Sequence, residues 1–210
     1  TDCNNFANAL GQKKPNYSGF SNAPSLVSTC APLSPKTSPA MVLDGPDEAT
    51  RYINDPMEDL SAQTAGFEKA LDRFLAACKA DQTACAGFGG ADPEAKYDDM
   101  IDQASATPIA ANGYTADPRP ITGDDLRAAA LSELYNKAFW PEFARALAAA
   151  QNGDGSGIRQ IVDEDFYVRN PDGSFDPGGD RYFTIGAAEQ NYSKKLDTYM
   201  HAGEQAWDQF

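Results

Sequence analysis

From Asp55-Pro56 to Cys78 the chain repeats with a helical period: Leu60, Thr64, Phe67, Leu71, Phe74, Leu75 and Cys78 follow one another at three- and four-residue steps. That spacing puts them on a single stripe and commits the segment to an amphipathic helix. Asp55 offers an N-cap, Pro56 fills the first helical position, where its missing N–H costs nothing, and Glu58 favours the positive end of the helix dipole. The same logic recurs downstream. Asp92-Pro93 opens a helix with Tyr97, Ile101 and Ala104 on one face. Thr122 to Asp125 has the outline of a capping box ahead of Leu126, Ala130, Leu131 and Leu134. Phe143, Leu147 and Ala150 carry the pattern after Pro141 as far as Gly153, Ile158, Ile161 and Val162 mark a further helix, and Tyr182, Ile185 and Glu189 another. A last helix is predicted from about Leu196 to Phe210. Asn170 to Gly173 and Asp176 to Gly179 supply preset or positive φ and read as turns. The body from Asn54 onward is therefore expected to be all-helical, with irregular loops.

The first fifty residues have a different texture. Asn5 to Lys14 reads as a short helix ended by Gly11 or Pro15, Asn16 to Phe20 as a strand, and Asn22 to Leu33 as a helix interrupted by Pro24 and Pro32. Ala40 to Leu43 is a short apolar run closed by the turn Asp44-Gly45-Pro46. Strand, helix, strand in that order is a parallel crossover unit. Two strands do not make a stable parallel sheet, because such sheets are normally buried on both faces. This piece needs further strands or another home.

Composition bounds the function. A 41% apolar fraction with 11 Phe, 9 Tyr and 2 Trp allows a real core. A net charge of -14 argues against nucleic acid, whose phosphates need a basic surface, and is compatible with a secreted protein or a cationic ligand such as a peptide's free amino group. No apolar run is long enough for a membrane span. Thr1 to Phe6 lacks the pattern of a signal peptide, and a processed chain would look the same. The single histidine, His201, lies in a helical stretch. Hydrolytic machinery needs a base beside a nucleophile or a metal cage, and neither is expected to be complete here. Cys78 and Cys85 are spaced for a short disulfide or for two reduced thiols; Cys3 and Cys30 have no obvious partner.

Three motifs bear on chemistry. Gly19-Phe20-Ser21-Asn22-Ala23 follows a predicted strand and precedes a predicted helix, the setting of a Gly-x-Ser-x-Gly nucleophile elbow, with Ala23 in place of the last glycine. Its plain reading is a loop serine near a helix cap. Asn152 to Gly157 followed by Asp163 imitates a calcium loop, but Ile158 comes one place early and the twelfth position is not glutamate. Asp172, Asp176 and Asp180 read as turn chemistry, and Trp140, Phe143, Phe166 and Tyr167 as core.

Ala9 to Lys14, Asn16-Tyr17, Gly19 to Ser21, Met41 to Gly45, Asp55-Pro56, Gln63 to Phe67, Leu71 to Phe74, Cys78, Cys85, Thr122 to Asp125 and Asp180 to Phe183 through Glu189 stand in a fixed order. In that order the chain resembles secreted bacterial α/β-hydrolase serine exopeptidases similar to tripeptidyl and prolyl aminopeptidases, from about Ala9 to Gln190. The resemblance implies a mainly α chain: a partial hydrolase core with a β-α-β remnant over 1–53, a helical cap (lid) domain over 54–192, and a C-terminal helix over 193–210. It implies Ser21 as nucleophile, Glu189 as the group holding a peptide's free amino terminus, a Cys78–Cys85 bridge, and no cofactor. In that fold the acid and histidine of the triad follow the cap, so a complementary hydrolase segment is implied as a partner. The resemblance implies a serine peptidase fragment inactive by itself; a non-catalytic helical module binding peptides is the other expectation. Asn22, Ala23, Pro24 and Pro32 depart from the family's elbow pattern.

Overall fold

The structure, a computed structural model, describes residues 2–13, 16–21, 23, 28, 40–167, 169–170 and 172–209. Along the chain these form α1 (Asp2–Ala9), β1 (Tyr17–Phe20), β2 (Met41–Asp44), α2 (Ala49–Asn54), α3 (Pro56–Ala80), α4 (Pro93–Ala106), α5 (Gly123–Glu133), α6 (Trp140–Ala150), α7 (Ser156–Val162), a π-helical turn (Asp163–Tyr167), α8 (Gly178–Glu189) and α9 (Leu196–Gln209). The described residues are mainly helical with one short parallel strand pair, in line with the helical periods and the strand–helix–strand order of the sequence. Two compact units are present: Thr1–Ala62 with Ile185–Gln209, and Gln63–Thr184.

In the first unit, α1 begins earlier than expected and ends sooner. Gly11 adopts φ +63, so its N–H turns back to the carbonyl of Asn8 and that of Gln12 to Ala7. β1 and β2 pair in parallel, with Tyr17 opposite Met41 and Phe20 opposite Asp44. The ladder extends at both ends: Tyr17 N–H donates to Ala40 O at 2.9 Å, and Ser21 N–H to Asp44 O at 3.0 Å. Of the helix expected over Asn22 to Leu33, Ala23 and Ser28 are described and are helical; the remainder lies outside the described residues. The pair is not covered on its apolar side chains: Phe20 is 66% exposed, Val42 63% and Leu43 40%.

After Gly45 the chain enters α2, a helix too short to show a period, whose start is held by Glu48 accepting from the N–H groups of Thr50 and Arg51. Residues that follow α8 are stitched to the end of this helix. Gln190 Nε2 donates to Tyr52 O, Asn191 N–H to Ile53 O at 2.8 Å, and Asn191 Nδ2 to Asn54 Oδ1.

The second unit holds the core. Asp55 caps α3 by accepting from Glu58 N–H, and the stripe of α3 becomes more buried along its length. Leu60 is 54% exposed, Phe67 and Leu71 are half-buried, and Phe74, Leu75 and Cys78 are buried. Phe74 meets Trp140 edge-on at 5.6 Å and Phe143 at 5.1 Å, surrounded by Phe88, Ile121, Leu126, Leu147 and Ile158. Each such side chain contributes about 1.5–3 kcal/mol by burial, which is why α4 to α7 close around it. Cys78 and Cys85 form a disulfide that folds the loop after α3 back beneath this cluster. Gly89 is indispensable to that loop: at φ +71, a Cβ there would run into the backbone of Pro93.

The capping box of α5 is present in full, with Thr122 N–H donating to Asp125 Oδ2 at 2.8 Å and Asp125 N–H donating to Thr122 Oγ1. Arg159 ties the same turn to α7: buried, it pairs with Asp125 at 2.9 Å and donates to the carbonyls of Arg119 and Pro120. Asp172 and Asp176 do close turns, accepting from the N–H groups of Ser174 and Gly178.

Candidate functional site

β1 delivers Ser21 to a tight corner. Gly19 is buried within the strand, Ser21 is exposed at its end, and Ser21 takes φ +58. An L-residue in the left-handed region costs roughly 1–2 kcal/mol, and Ala86, in the loop after the disulfide, is the other described non-glycine residue that does so. The corner is held on both sides: Ser21 N–H is fixed to Asp44 O, and Tyr17 Oη donates to the carbonyl of Ala23 at 3.1 Å. The chain thus leaves a strand, turns sharply through a serine with positive φ, and is helical by Ala23. A nucleophile elbow likewise exposes a hydroxyl on a strained residue between a strand and a helix.

Among the described residues no base is hydrogen-bonded to that hydroxyl. His201 lies on α9, largely exposed, with Nδ1 3.7 Å from Glu204 and Nε2 3.3 Å from Gln205 Nε2, both on its own helix. Glu189 is exposed at the last position of α8, immediately before the clamped residues Gln190 and Asn191. Ser21, Glu189 and His201 all belong to the first unit. The side chains of Cys3, Cys30, Phe166 and Tyr167 lie outside the described residues.

The calcium reading fails on Asp163. Its carboxylate is 1% exposed and both oxygens are taken: Arg169 donates to them through Nη2 at 2.7 Å and Nε at 3.0 Å, and Tyr114 Oη donates at 2.8 Å. Arg169 first, and Tyr114 with it, hold the Asp163 carboxyl below the usual carboxylate range, while burial and Asp163 push Tyr114 up to about 12. Asp154, in the same loop, caps Ser156. Among the described residues no group of three acidic, histidine or cysteine side chains is placed to hold a metal ion.

Two charged features of the second unit escaped sequence reasoning. An open pocket of about 400 Å³ is lined by Tyr114, Asp163, Glu164, Arg169 and Asn170, with Arg169 also stacked 4.5 Å over Phe175. Asp163 and Arg169 are brought together by the intervening π-helical turn, which no apolar period announces. The other is Glu133 at the end of α5, buried, with its carboxyl pushed up to about 7 by burial and by the charges of Glu142 and Asp165.

A strand–serine–helix corner is an arrangement found in serine hydrolases, and the comparisons with known proteins point the same way. The chain is 27% identical over 146 residues to carboxylesterase B of Mycobacterium tuberculosis, covering 70% of this chain and 27% of that protein. It is 25% identical over 185 residues to serine protease Hip1 of the same organism, covering 87% of this chain and 35% of that protein. No family model matches. These distant relatives support a hydrolase family, and the chain spans only about a third or less of their length.

Proposed function

We propose that the chain is the elbow and cap portion of a secreted serine peptidase that releases short peptides from free amino termini. Ser21 is its nucleophile, and Glu189 holds the substrate's amino group through a charge-assisted hydrogen bond. The observation that carries this reading is the left-handed backbone of Ser21 at the end of β1. Support comes from the uncovered apolar residues Phe20, Val42 and Leu43, which fit a parallel pair that takes its neighbours from further strands. Those strands would bring the acid and the base, since His201 is engaged on its own helix.

The chain alone is therefore inactive. A fluorophosphonate probe should leave Ser21 unlabelled in the isolated chain and label it in a chain extended to the length of the relatives, with Ser21→Ala abolishing the signal. Labelling of Ser21 in the isolated chain would refute the inactive-fragment reading; no labelling in either would refute Ser21 as nucleophile. The contacts of His201 with Glu204 and Gln205 on its own helix also favour a second reading, a helical module that binds peptides without chemistry. Glu189→Gln then weakens binding of a free-amino peptide in a chain that the probe never labels.

A further inference from the structure

Two Asn–Gly pairs occur in the sequence, Asn112-Gly113 and Asn152-Gly153. Asparagine before glycine is chemically unstable: the next residue's backbone nitrogen attacks the side-chain carbonyl carbon, and a glycine has no Cβ to shield that nitrogen. Folding slows the attack when it holds either partner, and the two pairs are held differently. At Asn152 both partners are engaged by main-chain carbonyls of α6. Asn152 Nδ2 donates to Ala148 O at 2.8 Å, and Gly153 N–H to Ala150 O at 2.9 Å, with Gly153 at φ +92 closing the helix. Asn112 lies in the loop between α4 and α5, in a turn closed by Tyr114 N–H donating to Ala111 O at 3.2 Å. It is exposed, and among the described residues nothing is hydrogen-bonded to its side-chain amide. Gly113 is exposed too, and its N–H is held by a single side chain, Ser156 Oγ at 2.9 Å, at the start of α7. By accepting that proton the hydroxyl makes the nitrogen harder to deprotonate and keeps it directed at Ser156.

We propose that Asn112 is a site of spontaneous deamidation by water, and that the Ser156 hydroxyl sets its rate. The Gly113 nitrogen gives its proton to hydroxide and bonds to Asn112 Cγ. The Cγ–Nδ2 bond then breaks, and that nitrogen takes a proton from water and leaves as ammonia, which restores the hydroxide. Water opens the cyclic imide that remains at either of its carbonyls, yielding aspartate or isoaspartate. The net change is one amide hydrolysed to one carboxylate, with nothing oxidised or reduced. The turn has little room to absorb an isoaspartate, which lengthens the main chain by one carbon. On one side Gly155 N–H donates to Ala110 O at 2.7 Å and Ala111 is buried; on the other Tyr114 Oη donates to Asp163 at 2.8 Å. Modification therefore loosens the Tyr114–Asp163 bond and, with it, the wall of the pocket around Arg169. All of these residues lie in the second unit, and the proposal does not rest on the roles of Ser21 or Glu189.

Incubation of the folded chain in mildly alkaline heavy-oxygen water, followed by peptide mapping by mass spectrometry, tests it. Heavy oxygen should enter at Asn112 and far more slowly at Asn152, whereas in urea the two pairs should react alike. Ser156→Ala should raise the rate at Asn112 about fivefold, the worth of one hydrogen bond, and leave Asn152 unchanged. Ser156→Thr, which keeps the hydroxyl, should react at the native rate. Equal rates at the two pairs in the folded chain, no heavy oxygen at Asn112, or an Asn112 rate unchanged in Ser156→Ala overturns the proposal. If Ser156→Ala unfolds, the Asn152 rate rises to its value in urea, and Ser156→Thr then decides. A rate at Asn112 above the native one in that variant, with Asn152 unchanged, overturns the proposal.

Discussion

Glu133→Gln should make the protein more stable in alkaline solution, because the native fold holds this carboxyl against its ionisation. Its folded value is about 7 against an ordinary 4.5. Between those values the folded state binds the proton that the unfolded chain has released, so stability falls as pH rises from about 4.5 to about 7 and the full penalty applies above it. A gap of that size corresponds to at most about 3 kcal/mol, at 1.36 kcal/mol per pH unit, and some of it is relieved by local rearrangement. Glutamine keeps the shape and cannot ionise. Urea unfolding of both proteins, followed by near-ultraviolet circular dichroism, should show nearly equal stability at about pH 4 and a gain of about 2 kcal/mol for the variant at about pH 8. The comparison cancels the titrating groups that do not interact with Glu133. A stability difference independent of pH, or one favouring the native residue at high pH, would refute the reasoning that burial and acidic neighbours govern Glu133.

Other perturbations probe the remaining features. Asp163→Ala should cost about 3 kcal/mol in chemical denaturation, since it strands Arg169 and Tyr114; a loss under 1 kcal/mol would show that the network is not structural. Asp163 and Asp117, the latter held down at about 2 chiefly by Arg119, contribute stability that is present above their ordinary range near 3.8 and lost as pH falls through their lower folded values. An acid melt should therefore show destabilisation that continues below pH 3.8, and Asp117→Asn should remove part of it. Replacing both Cys78 and Cys85 by serine should lower stability by about 2 kcal/mol, the closure entropy of a short loop, read as a shift in urea midpoint. Gly89→Ala should be destabilising by more than the loss of glycine's freedom can repay, because the added methyl meets the backbone of Pro93; an unchanged melting temperature would contradict that crowding.

Much of the helical unit was legible residue by residue. The period through Phe74, Leu75 and Cys78, the capping box at Thr122 and Asp125, and the buried faces of Tyr97 and Ile101 are local instructions that packing obeys. Leu60 departs from its stripe, and α8 buries no residue along its length despite its apolar period, because a period states which face would be buried and not whether anything arrives to cover it. The serine corner was legible as a pattern, yet a Gly-x-Ser spacing is silent about φ. The left-handed turn at Ser21 exists because Asp44 holds one side and Ala23 the other.

By itself the sequence determined the mainly helical class, the place of the strands and the helix caps, all of which depend on neighbours within a few residues. Only the tertiary structure decided that Asp163 is taken by Tyr114, 49 residues away, together with Arg169 and not by a cation, and that Glu133 is buried with the charge of Asp165 acting on it. The physical reason is range. Propensity and capping act along the chain, whereas burial, charge pairing and proton affinity are set by residues that folding brings together from far apart in it.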